Sequence, residues 1–176
     1  DPEQKAAVIK KLTKVRARGY IGMALVISLT SYFAVQKGLF DIRMVCNKTI
    51  SGLNDAVWVP RFWLPTVYTF LRMVHYNSWM SDLDVGEMFL NFMLHVSLRP
   101  YCGVDLTPHF PEEAARAGGK LITAWHRAGM GFKWSPYQSV QAMMVADEII
   151  GGDRHDPTNV SRWDRVSMTL PSHLDF

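Results

Sequence analysis

Several chemistries have no foothold in this 176-residue chain. It carries neither a G-x-x-x-x-G-K-[ST] loop nor a G-x-G-x-x-G turn, which disfavours P-loop nucleotide hydrolysis and dinucleotide chemistry. Its six histidines, His75, His95, His109, His126, His155 and His173, never fall in an H-x-x-x-H or comparable spacing, so none is assigned to a metal. The two cysteines, Cys46 and Cys102, show neither metal-ligand spacing nor a disulfide framework, and reduced buried thiols are the expectation. The longest apolar run, residues 21–35, is interrupted by Gly22, Ser28, Thr30 and Ser31 and falls short of the ~20 residues a membrane helix needs. No span and no membrane partner is expected. The chain starts without Met, and a fragment of a longer protein is the expectation.

Apolar residues make up 48% of the chain, enough to exclude wholesale disorder and to build a core. Charge is uneven: residues 1–48 hold nine Lys/Arg against three Asp/Glu, and the remainder ten against thirteen. The basic end is a candidate phosphate-binding face, and a solvated helix face is the plainer reading of Lys5, Lys10, Lys11, Lys14, Arg16 and Arg18. Residues 81–92 set acidic groups where an apolar strand meets a turn. If the strand is extended from Trp79, Asp82 and Asp84 share one face and Leu83 and Val85 the other, and Gly86 breaks it. A carboxylate fixed there suits a hard cation such as Mg²⁺. The alternative is a carboxylate that caps the following turn through backbone N–H groups.

A second stretch, residues 125–136, is a loop punctuated by Gly129 and Gly131 that ends at a helix start. Ser135 suits an N-cap, Pro136 the first helical position, and residues 138–150 carry a helical apolar pattern. Leu83-Asp84-Val85-Gly86-Glu87 with Phe89, followed 41 residues after Phe89 by Met130-Gly131-Phe132-Lys133-Trp134-Ser135-Pro136, resembles the first two palm motifs of reverse transcriptases of the retrotransposon or retroviral type. Upstream, Asp41-Ile42-Arg43-Met44-Val45-Cys46-Asn47 and then Gly52-Leu53-Asn54 look like the fingers strand and L-N loop of that family. Leu64-Pro65 and Leu94-His95 with Arg99-Pro100 match further segments in the family's order. Asn47 stands where the family usually has Asp, and the spacing from Arg43 to Leu53-Asn54 is two residues longer than in retroviral enzymes.

In chain order, residues 2–18 read as an amphipathic helix burying Ala7, Ile9, Leu12 and Val15 and closed by Gly19. Residues 26–35 are β-branched and aromatic, hence strand-like, and with residues 42–46 they form a β-hairpin with Lys37 near its tip and Arg43 on its second arm. A helix is expected from Leu64-Pro65 through Val74, a strand over 79–85, a short helical turn with Met88, Phe89 and Phe92, and a strand over 99–106. Residues 107–119 are expected as an exposed turn or insertion, 120–127 as a strand, and the last helix as packing through Val140, Met143, Met144 and Ile149.

The resemblance implies an α+β fold of fingers and palm, an antiparallel sheet packed with helices, with the palm incomplete: residues 1–62 as fingers, 63–150 as palm core, and 151–176 as an irregular tail. It implies an RNA-directed DNA polymerase that joins a deoxynucleoside triphosphate to a primer 3′-hydroxyl on an RNA or DNA template. Asp84 would be the catalytic carboxylate and, with the Val85 carbonyl, a ligand for Mg²⁺, or Mn²⁺ in its place. Lys37 and Arg43 would grip the triphosphate, the N–H groups near Gly86 and Glu87 would face it, Met130 and Gly131 would contact nucleotide and template, and Phe89 would lie beneath the sugar as a steric gate or else be plain core. An intracellular or particle-borne setting follows. The family's third palm motif carries an adjacent Asp-Asp pair, and none occurs here, so the chain by itself is expected to be inactive and marginally soluble. The competing expectation is a catalytically silent nucleic-acid-binding module.

Overall fold

The computed structural model describes residues 2–38, 41–62, 66, 68, 76–77, 84–153 and 155–159. The chain divides into two compact units, Asp1–Trp58 with Glu87–Ser135, and Val59–Gly86 with Pro136–Phe176. The expected helix from Leu64-Pro65, the strand over 79–83 and Asp82 lie outside the described residues.

The first unit opens with α1, Pro2–Ala17, whose buried face is Val8, Leu12 and Val15. Spacings of four and three residues place these on one side of a helix; Ala7 and Ile9, expected in the core, are only half-buried because they flank that stripe. Gly19, at φ 68°, ends the helix, with its N–H donating to the Arg16 carbonyl and the Tyr20 N–H to that of Val15. A left-handed residue closing a helix is where glycine costs least.

β1, Ile21–Gly22, β4, Gly103–Asp105, and β5, Ile122–Trp125, form an antiparallel sheet in the order β1-β5-β4. Ala124, fully buried, lies between Gly22 and Gly103. The chain at 26–28 crosses so closely over Gly103 that a Cβ there would stand 2.2 Å from Val26 Cγ1 and 2.8 Å from the Ser28 carbonyl. This crossing corrects the strand expected over 26–30: Ile27 and Ser28 N–H groups both donate to the Pro100 carbonyl, and strand pairing starts only at Ser31 apart from a single bridge between Leu29 and Gly103. The β-hairpin itself stands, as β2, Ser31–Lys37, paired with β3, Asp41–Asn47.

Three other expectations change. The strand over 99–106 is a 3-10 turn at Arg99–Tyr101 followed by β4, since Pro100 lacks the N–H a ladder needs. The exposed insertion over 107–119 contains a helix, α3, Pro111–Arg116, which buries Ala114; Pro111 takes a first-turn position where its missing N–H is no loss. A short helix, α2, Leu53–Ala56, follows β3 and buries Leu53. In the second unit, α4, which runs Ser135–Gly151, half-buries Val140 and Met144, one turn apart, while Met143 and Ile149 are exposed rather than packed. The Phe62 and Tyr137 rings of this unit meet edge to face at 5.8 Å.

Candidate functional site

Strand register decides what the hairpin offers. Tyr32 pairs with Cys46, Ala34 with Met44 and Gln36 with Ile42, and with Ile42 and Cys46 buried this is the inner face. The alternate pairs, Phe33 with Val45, Val35 with Arg43 and Lys37 with Asp41, lie on the outer face. Lys37 and Arg43 therefore share one side of the ribbon, diagonal to each other. Both are exposed, and among the described residues neither enters an ion pair; Asp41 instead accepts the Ile42 N–H at 2.8 Å.

The 129–135 loop is held against β3 and α2. The Cys46 N–H donates to the Met130 carbonyl at 2.9 Å. Gly131, at φ 101°, lies so close that a Cβ would stand 1.9 Å from the Cys46 carbonyl oxygen. Asn54 closes the other side: its Nδ2 donates to the Gly131 carbonyl at 2.9 Å and its Oδ1 accepts the Lys133 N–H at 3.0 Å. Within the loop, the buried Ser135 hydroxyl donates to the Gly129 carbonyl at 3.0 Å, and Lys133 Nζ donates to the Val57 carbonyl at 3.3 Å. Met130 and Gly131 are thus joined to the strand that carries Arg43.

Beneath the loop is a residue that the sequence did not flag. Lys48 is fully buried; its Nζ donates to Thr30 Oγ1 at 2.9 Å and stands 4.4 Å from the Phe132 ring centroid. Burial lowers its pKa, partly offset by Cys102 and Cys46. Burial also raises both thiols, Cys102 to about 11, and both cysteines are free and buried as expected. A lysine following Asn47 in a basic segment gave no signal of burial, because surface is the ordinary place for its charge.

Asp84 and Val85 are exposed, outside any helix or strand, and belong with Gly86 to the second unit. Glu87 belongs to the first unit, and it is Glu87, at φ 52°, that takes the left-handed conformation. Its carboxylate accepts from Lys11 at 3.1 Å and Arg18 at 2.7 Å. Burial pushes this carboxyl up, but the Lys11 hydrogen bond and the charges of Lys11, Lys14 and Arg18 outweigh it and hold the pKa below its ordinary value. The basic helix is therefore partly spent inside the fold, and Arg16 likewise forms a two-pronged pair with Glu113 while lying over the Phe110 ring. Phe89 sits half-buried in a 3-10 turn, Met88–Asn91. The chain after it is tied to the second stretch by Ala128 N–H donating to Phe92 and Leu94 N–H to His126.

For a divalent cation, the exposed Asp84 carboxylate is a suitable hard oxygen donor. It supplies one ligand only: among the described residues no three His, Cys, Asp or Glu side chains gather to hold a metal. Among those residues, too, no helix is long and apolar enough to cross a membrane.

No protein-family model and no curated protein matches the chain. Its fold is similar to a solved foamy viral protease-reverse transcriptase in complex with double-stranded DNA, with a TM-score of 0.61 and 15% sequence identity over 86% of this chain and 24% of that one. The architecture is accordingly α+β, helices with antiparallel sheets, and reverse-transcriptase-like. The chain spans about a quarter of that protein's length.

Proposed function

We propose that this chain is the fingers and palm portion of an RNA-directed DNA polymerase, residues 1–62 serving as fingers and 63–150 as palm core. The observation that most supports this reading is the hairpin register, which sets Lys37 of β2 and Arg43 of β3 on one face of the ribbon, with β3 also holding the loop at Met130 and Gly131. On this reading the ammonium of Lys37 and the guanidinium of Arg43 bind the triphosphate of an incoming deoxynucleotide, the latter able to engage two oxygens at once. The primer 3′-hydroxyl attacks the α-phosphorus, a new phosphodiester P–O bond forms, and pyrophosphate leaves. Asp84 and the Val85 carbonyl would hold Mg²⁺, which when bound stabilises the attacking and leaving oxygens. Phe89 lies under the sugar and leaves no room for a 2′-hydroxyl. Template and primer, RNA or DNA, are the partners.

Primer extension by the parent polymerase tests this. Asp84→Asn is expected to reduce incorporation by more than the roughly 10–100-fold that losing an outer-shell metal partner costs, with the unfolding midpoint unchanged because Asp84 is exposed. Phe89→Val is expected to lower deoxynucleotide preference over ribonucleotides more than it lowers stability. Near-normal extension by Asp84→Asn sinks the catalytic assignment. Salt-sensitive duplex binding indifferent to Mg²⁺ would point instead to a nucleic-acid-binding module without chemistry.

A further inference from the structure

We propose that the cleft between the first turns of α1 and the inner face of the β2–β3 hairpin binds a small organic anion with a flat apolar body, of the aromatic carboxylate or sulfonate class. The cleft is a broad, solvent-open groove of about 400 Å³, within the ~300–1,000 Å³ typical of small-molecule sites. Val8, Ala34 and Met44 give it an apolar lining, and Tyr32 and His109 add two rings whose centroids lie 5.9 Å apart. These rings favour a flat partner over a branched one.

Polarity narrows the ligand further. The Tyr32 hydroxyl is committed to the Asp105 carbonyl at 3.1 Å, and burial, followed by the Asp105 and Cys46 charges, pushes its pKa to about 12, so it brings no charge. Burial and then Lys5 lower the His109 pKa, which leaves that ring neutral at pH 7. Lys5 is then the single cation in the lining, exposed and without an ion-pair partner among the described residues, and no Asp or Glu lines the cleft. One ammonium beside an apolar floor suits one negative charge at the end of a hydrophobic body, and Gln4 places an amide in the lining. A polyphosphate would leave most of its charge uncompensated. Phe33 of the outer face also borders the cleft, but neither Lys37 nor Arg43 lines it, so the site is separate from the proposed nucleotide grip. It therefore stands or falls independently of polymerase activity.

Anilinonaphthalenesulfonate is the probe, followed by fluorescence titration and by amide chemical shifts of the chain. The expected result is saturable binding of one molecule per chain, with shifts at Ala34, Met44 and His109. Lys5→Glu should weaken it about tenfold or more, the scale of losing a charge-assisted contact and gaining a repulsion. Ala34→Phe should abolish it by filling the floor; because that change risks disturbing the hairpin, Lys5→Glu, on an exposed side chain, decides the matter by itself. Unchanged affinity in Lys5→Glu would overturn the proposal, as would shifts confined to the exposed apolar segment Met23, Leu25 and Ile27. Equal saturation of the same residues by inorganic sulfate would overturn the requirement for a flat body.

Discussion

The 129–135 loop and the turn at Glu87 are fixed by opposite means. The loop is held by contacts that tolerate almost no displacement: a backbone hydrogen bond from Cys46, a glycine packed onto a carbonyl oxygen, and one Asn54 amide serving both sides of the peptide chain. The turn is held by two long cationic side chains reaching a carboxylate near the surface. Packed backbone gives position at high cost to substitution. Exposed ion pairs give approximate position and remain sensitive to pH and salt.

Three substitutions sharpen this contrast, beginning with the largest effect. Gly131→Ala combines a left-handed backbone with a Cβ 1.9 Å from the Cys46 oxygen, and the two penalties together should destabilise the fold by about 3 kcal/mol or more in denaturant unfolding. A loss under 1 kcal/mol, on the ~1–3 kcal/mol scale of overpacking, would mean that the loop lifts away from β3 easily. Asn54→Ala strands the Gly131 carbonyl and the Lys133 N–H, for about 1–2 kcal/mol, and hydrogen exchange at Lys133 should quicken while exchange in β5 does not. The smallest effect belongs to Glu87→Gln, below ~1 kcal/mol and smaller still at high salt. Because the folded pKa of Glu87 is depressed, its stabilisation is present above the ordinary value of 4.5 and is lost as pH falls through the folded value; wild type and Glu87→Gln should converge in acid. If Glu87→Gln proved costlier than Asn54→Ala, the contrast would be reversed.

What the sequence disclosed follows from which forces are local. The hairpin was legible because β-branched and aromatic residues flank Lys37-Gly38, and Gly38 does take a left-handed φ of 64°. The start of α4 at Ser135-Pro136 was legible in position, although Ser135, expected as the cap, is itself the first helical residue and its hydroxyl donates to the Gly129 carbonyl. Residues 107–119 misled because prolines and glycines signal turns, whereas Pro111 opens a short helix. Segment 26–30 misled because composition favours a strand, but the Ile27 and Ser28 amides are taken by the Pro100 carbonyl and that of Thr30 by Gly103. Lys48 and the double role of Asn54 depend on partners far along the chain, such as Phe132, Gly131 and Lys133, and neighbouring residues carry no trace of them. For the candidate site, sequence order nominated Lys37 and Arg43, but only the strand register puts them on one face.

The bond between Cys46 and Met130 has a mechanical consequence. To swing free of the 129–135 loop, the inner half of the hairpin would have to break this bond and lift Gly131 off the Cys46 carbonyl. Bending is left to the outer half, beyond Ala34 and Met44, where the described strands hydrogen-bond chiefly to each other and the side chains are mostly exposed. Any bending there would carry Lys37, near the tip, through a larger arc than Arg43, which lies three residues from the Cys46 contact.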